Sequence, residues 1–284
     1  MLQQLTAWSR QDHSGTHQVV TVVEPLTHEL LRNLIADPID ALVLVDHAPF
    51  ATGGAPLSEA LPGDGVRDEA RRAIFALELA RHASRTLPLA GNSDAGWQAS
   101  LAALLGVPAS SDVISDLPSL PPGVTAAEEH SQALDTPLVA QYLLPLFNAP
   151  NHHGPLALAW PRECFLHGDA PNTMLPATVE VAGRGRILAY GPYLPLPAGN
   201  WRAKTFLGFS PDIGELPFIL EVDSGSRMFR GFFEVDRSGI FTLDLDFQIT
   251  EPLNPVEMRL ISQDSALDGQ LSLISVSLEQ VRSG

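Results

Sequence analysis

An α+β fold is expected, with an N-terminal α/β part (a βαβ unit plus further helices) followed by a C-terminal antiparallel β-sandwich of jelly-roll type. Three observations predict it. Apolar runs of strand, helix and strand character follow one another over residues 18–45. An apolar stripe at helical spacing fills 67–84. From residue 178 onward, short runs alternate apolar and polar residues between turn signals. With 284 residues, 45% hydrophobic and 18% charged, the chain has the apolar content for a self-sufficient core.

The first strand falls at 18–23, where β-branched residues crowd and Glu24-Pro25 stops the run. Thr27 as N-cap, with Leu30, Leu31, Leu34 and Ile35 at helical spacing, predicts a helix that Asp37-Pro38 ends. Residues 41–45 make a second apolar strand, parallel to the first in a βαβ unit. Asp46 and His47 stand at its C-terminal end with Gly53 and Gly54 in the next loop, where open α/β sheets hold ligands. Their spacing matches no nucleotide-binding glycine motif, and the plain reading is a strand end and a turn.

In the helix at 67–84, Ala70, Ala73, Ile74, Leu77 and Ala80 form one apolar face while Arg71, Arg72, Glu78 and Arg81 face water. A shorter helix at 97–105 is closed by Gly106, and Thr125-Ala126-Ala127-Glu128 has the form of a capping box. Residues 138–147 are a short, deeply packed helix interrupted by Pro145, or an irregular buried segment. Five prolines over 148–176, with Gly154 and Gly168, mark a connector, placed at 151–176, between a domain at 1–150 and another at 177–284. The connector holds His152, His153, Cys164, His167 and Asp169. Adjacent histidines diverge, and Cys164 with His167 supplies one edge of a site, so no metal and no cofactor is assigned. A Cys164–His167 nucleophile pair is the other chemistry those residues could carry, and solvated loop residues are the plain reading.

Strands are expected at 178–182, 186–190, 200–209, 217–223, 227–235, 239–248, 256–262 and 271–279. Alternation is sharpest from Phe241 to Ile249, and Val256, Met258 and Leu260 alternate with Glu257 and Arg259. Asp223-Ser224-Gly225-Ser226 and Arg237-Ser238-Gly239 fit hairpins, and Asp268-Gly269 is a strong turn signal.

Charge narrows the partners. A formal net charge of −16 repels phosphate backbones and anionic headgroups, which argues against nucleic acid. No stretch is apolar for the ~18 residues a membrane span needs, and the N-terminus has no leader-like pattern. A single cysteine excludes an intramolecular disulfide. A cytoplasmic location is expected.

At Gly191-Pro192-Tyr193-Leu194-Pro195-Leu196-Pro197-Ala198-Gly199-Asn200-Trp201-Arg202 the sequence resembles bacterial β-sandwich domains similar to carbohydrate-binding modules, in which such a turn leads into a long strand. The match extends over 186–283 at most. The resemblance implies glycan-related binding or an assembly role, connected with bacterial polysaccharide production and without catalysis. It assigns no binding residues.

Sugars are held by flat aromatic faces and by polar groups on their hydroxyls, and Tyr190, Tyr193, Trp201, Arg202, Lys204, Arg227 and Arg230 supply both kinds. The competing reading puts Trp201 in the core and the basic residues on a solvated face. The expectation is a non-catalytic protein with a saccharide or protein partner, homo-oligomeric through its sandwich. Two others stand beside it: an enzyme with a nucleotide or sugar-nucleotide site near Asp46, and a structural subunit of a larger assembly.

Overall fold

Where alternate side chains are apolar, a strand has one dry and one wet side, and two sheets must close over the dry sides. The computed structural model describes residues 6–12, 15–21, 27–36, 42–45, 64–83, 85–88, 137–149 and 155–281. Its N-terminal part contains β1 (Thr6–Asp12), β2 (Gly15–Thr21), α1 (His28–Ala36), β3 (Leu42–Val45), α2 (Asp64–His82) and β4 (Arg85–Pro88). A π-helical turn over Val139–Leu143 then runs into α3 (Leu144–Asn148).

The sandwich strands are β5 (Ala157–Pro161), β6 (Leu166–His167), β7 (Ala170–Met174), β8 (Val179–Glu180), β9 (Arg186–Pro195), β10 (Gly199–Phe209), β11 (Leu216–Asp223), β12 (Met228–Val235), β13 (Gly239–Ile249), β14 (Pro255–Ser262) and β15 (Gln270–Val281). Sheet 1 runs β13-β10-β15-β5, with β8 also pairing β15, and sheet 2 runs β12-β11-β14-β9-β6-β7. Each outgoing strand pairs antiparallel with a returning one: β5 with β15, β9 with β14, β10 with β13 and β11 with β12. That nested pairing, alternating between sheets, is the wiring of a jelly roll.

Three expectations are corrected. The strand at 15–21 pairs antiparallel with 6–12, and 42–45 finds its parallel partner at 85–88 across α2, so the βαβ unit of 18–45 is not the pairing formed. Pairing β2 with the segment just before it closes the shorter loop. Residues 157–174, placed in the connector, contribute β5 to sheet 1 and β6 and β7 to sheet 2. Pro161 and Pro171 misled because β5 and β7 are edge strands, where a missing N–H costs no ladder bond. Finally, the turn at 237–239 joins β12 to β13 in the other sheet and is a crossover; of the two turns expected to close hairpins, the one after Asp223 does so.

The dry faces of both sheets and the helices share one cluster of buried residues, including Trp160, Phe165, Trp201 and Phe218 from the sandwich and Ile74, Tyr142, Leu143 and Leu146 from the helices. α2 packs against β9, and the π-helical turn and α3 against β5. Pro145 is tolerated because it sits in the first turn of α3 and the turn before it widens, the Leu144 N–H donating to the Val139 carbonyl. Helices expected near 97–105 and from Thr125 lie outside the described residues.

The helices hold the β9–β10 connection. The buried Tyr142 hydroxyl donates to the Pro195 carbonyl, and Trp201 Nε1 donates to the Pro197 carbonyl at 2.9 Å. Glu78 accepts from the Ala198 N–H at 2.9 Å and from Arg81 at 2.8 Å, while Arg81 also donates to the Ala198 carbonyl and to Gln280, each at 3.0 Å. Burial pushes the Glu78 carboxyl up, more than the charge of Arg81 and the Ala198 N–H bring it down.

Candidate functional site

Register decides which outward side chains meet. On the wet face of sheet 2, Arg230 on β12 stands opposite Glu221 on β11, Glu221 opposite Arg259 on β14, and Arg259 opposite Tyr190 on β9. One pleat along, Phe232, Ile219, Ile261 and Ile187 form a second row across the same four strands. A polar row therefore lies beside an apolar one, about 7 Å away for two residues of strand rise.

The polar row is joined by ion pairs from Arg230 to Arg259, and Arg259 carries them on to the next pleat, where Glu257 stands opposite Asp223. Arg230 Nε donates to Glu221 Oε2 and Arg259 Nη1 to Glu221 Oε1, each at 2.7 Å. Arg259 Nη2 donates to Glu257 and lies 3.8 Å from Asp223, and the Tyr193 hydroxyl donates to Glu257 at 2.8 Å. Tyr190 and Tyr193 meet edge to face at 6.3 Å between ring centres, and the Arg67 guanidinium of α2 sits 5.9 Å over the Tyr193 ring. Tyr193 has φ of 63°, a left-handed conformation uncommon outside glycine, at the extra residue where β9 bulges against β14.

The electrostatics follow from this wiring. Burial would raise the Glu221 carboxyl, but the hydrogen bonds and charges of Arg230 and Arg259 outweigh it and hold the group below the usual carboxylate range. Burial, then the hydrogen bond to Glu257, pushes the Tyr193 phenol up, while its bond to Glu257 holds the Arg259 guanidinium firmly protonated. Glu221 is thereby held ionised, the Tyr193 phenol neutral and Arg259 charged at neutral pH.

In the apolar row, Phe232 is 65% and Ile187 40% exposed, with Ile219 and Ile261 half-buried between them. From Phe232 to Ile187 are three strand spacings, roughly 14 Å.

The seven residues expected to bind do not converge. Tyr190, Tyr193 and Arg230 lie on the wet face of sheet 2. Trp201 is fully buried between the sheets, so it offers no face to a ligand. Arg202 and Lys204 project from the wet face of sheet 1, where Arg202 forks onto Asp246 at 2.7 and 2.9 Å and Lys204 stands opposite Asp244. Arg227, in the β11–β12 turn, donates to Gln248 at 2.6 Å. Glu221, Glu257, Arg259 and Phe232 were not singled out. Alternation puts Glu257 and Arg259 on wet positions, but it says nothing of which strands stand side by side.

Cys164 is buried in the core, and burial pushes its thiol up to about 12, so it is no nucleophile at neutral pH. Among the described residues, no three His, Cys, Asp or Glu side chains are grouped as metal ligands would be. Asp46, His47, Gly53, Gly54, His152 and His153 lie outside the described residues. No described helix is long and apolar enough to cross a membrane.

No family model matches the sequence, and no curated protein matches it. Solved structures similar to the chain are mostly carbohydrate-binding modules, and each likeness is weak. The xylan-binding module CBM15 is 12% identical and covers 46% of this chain and 100% of its own, with a TM-score of 0.33. The C-terminal CBM6 of the laminarinase LamC from Zobellia galactanivorans is 11% identical over 44% of this chain and 99% of its own, at 0.30. The arabinose-bound α-L-arabinofuranosidase MgGH51 is 10% identical over 44% of this chain, at 0.28, and the chain spans only 22% of that protein's length.

Proposed function

We propose that this chain is a non-catalytic binding protein that holds a saccharide on the wet face of sheet 2. The observation that carries the proposal is the pair of parallel rows: an apolar row that ends in the exposed ring of Phe232, beside a polar row whose members are already fixed by one another. Sugars have apolar C–H faces and a rim of hydroxyls, so they need both surfaces side by side. Preorganised groups lose little rotamer freedom on binding, which favours a shallow face that would otherwise be weak. A connection with bacterial polysaccharide production belongs to the same proposal and rests on the sequence resemblance at 191–202.

The test is calorimetric titration of the full chain against a panel of neutral and acidic oligosaccharides, with Phe232→Ala as the probe variant. Phe232 is outside the core, so folding is retained, and loss of an aromatic stacking face should weaken binding by about tenfold or more. A panel that yields no saccharide, or a variant that binds as the parent does, removes the proposal. Capture of a protein partner at Phe232 with no saccharide binding would instead favour the assembly reading.

A further inference from the structure

Within the polar row the two signs of charge lie at different depths. The Glu221 side chain is 5% exposed and Glu257 14%, whereas Arg230 is 51% exposed. Arg230 uses Nε on Glu221, and among the described residues its two terminal nitrogens make no hydrogen bond. Its neighbours on the wet side of β12, Met228 and Phe232, carry no acceptor strong enough to claim that edge. The paired Nη1 and Nη2 form a planar fork that matches a carboxylate with two parallel bonds. Glu221, held ionised, fixes the fork's orientation, and Phe232 two residues along the strand sets an apolar surface beside it.

We infer that the saccharide is an acidic one, a short oligosaccharide carrying a hexuronate whose carboxylate takes the free fork of Arg230 while its ring lies against Phe232. This rests on the saccharide reading above and adds the chemical class. Glu221 remains bonded to both arginines, so binding moves no proton and breaks no pair already made. The net charge of −16 opposes long polyanions, which confines the inference to short chains with few carboxylates. At physiological salt the Debye length is about 8 Å, so the local fork governs the contact.

The experiment compares the full-length protein with Arg230→Lys and Arg230→Gln, titrated calorimetrically with a galacturonic acid trisaccharide and with its methyl ester. The acid should bind and the ester should bind at least tenfold more weakly. Arg230→Lys, which keeps the charge but loses the fork, should lose most of that difference, and Arg230→Gln all of it. Both variants should melt within a few degrees of the parent. Equal affinity of acid and ester, or a preference that survives in Arg230→Gln, overturns the acidic class and leaves the saccharide reading standing. Failure of both probes, in a parent that does bind neutral oligosaccharides, has the same meaning. Failure of every saccharide removes both inferences.

Discussion

Two buried glutamates show how differently the same side chain can be placed. Glu221 is flanked by two guanidinium groups and its carboxyl is held low; Glu78 is governed by burial and its carboxyl is raised. The signs of their pH dependence are therefore opposite. For Glu221, stabilisation is present above the unfolded-state value of about 4.3 and is lost as pH falls through the lower folded value. For Glu78, it is complete below that value and is lost as pH rises through the higher folded one. Glu221→Gln should thus cost about 1–3 kcal/mol at pH 7, shrinking toward acid pH. Glu78→Gln, which can still accept from the Ala198 N–H, should be at least as stable as the parent at pH 7, with the parent gaining on it as pH falls. Urea denaturation at several pH values reads both, and like slopes for the two variants would contradict the assignment. At this scale the sequence was an uneven guide. Trp201 looked like a binding aromatic by type, but its alternation with Arg202 and Lys204 already placed it on the dry side, and the structure buries it.

Among the elements, the strands from β10 to β15 were legible almost to their ends, because a period of two in a half-buried strand is a local signal that needs no knowledge of its partner, whereas β9 runs on from the expected 186–190 to Pro195. What a strand pairs with is not local. The hairpin of β1 and β2, the parallel pair β3 and β4, and the edge strands β5 and β7 were missed or misassigned for that reason. The motif at 191–202 reads differently once folded: its Pro195–Ala198 stretch is the segment that Tyr142, Glu78, Arg81 and Trp201 hold in place. Tyr142→Phe leaves the buried Pro195 carbonyl without that donor and should cost about 1–3 kcal/mol. The midpoint of urea denaturation should fall with the slope unchanged, and a variant as stable as the parent would show that the helices do not anchor this turn.

For the molecule as a whole, the jelly-roll wiring is what creates a site. It brings β12, β11, β14 and β9, which are spread over 186–262, into one sheet and lines up their wet residues in rows. Arg259 was visible as a wet position between Met258 and Leu260, but the apolar Ile187, Ile219, Ile261 and Phe232 carry no such signal, and the rows exist only through the pairing of strands far apart in sequence. The same wiring puts isoleucines on both outer faces: Ile187, Ile219 and Ile261 on sheet 2, and the exposed Ile240 and Ile274 on sheet 1. The most direct measurement is isoleucine-methyl NMR of the full chain during titration with an oligosaccharide that calorimetry has identified as bound. Progressive, saturating shifts of Ile187, Ile219 and Ile261, with Ile240 and Ile274 unmoved, are the expected result. Shifts confined to Ile240 and Ile274, or a saturated complex in which none of the sheet 2 methyls moves, would contradict it.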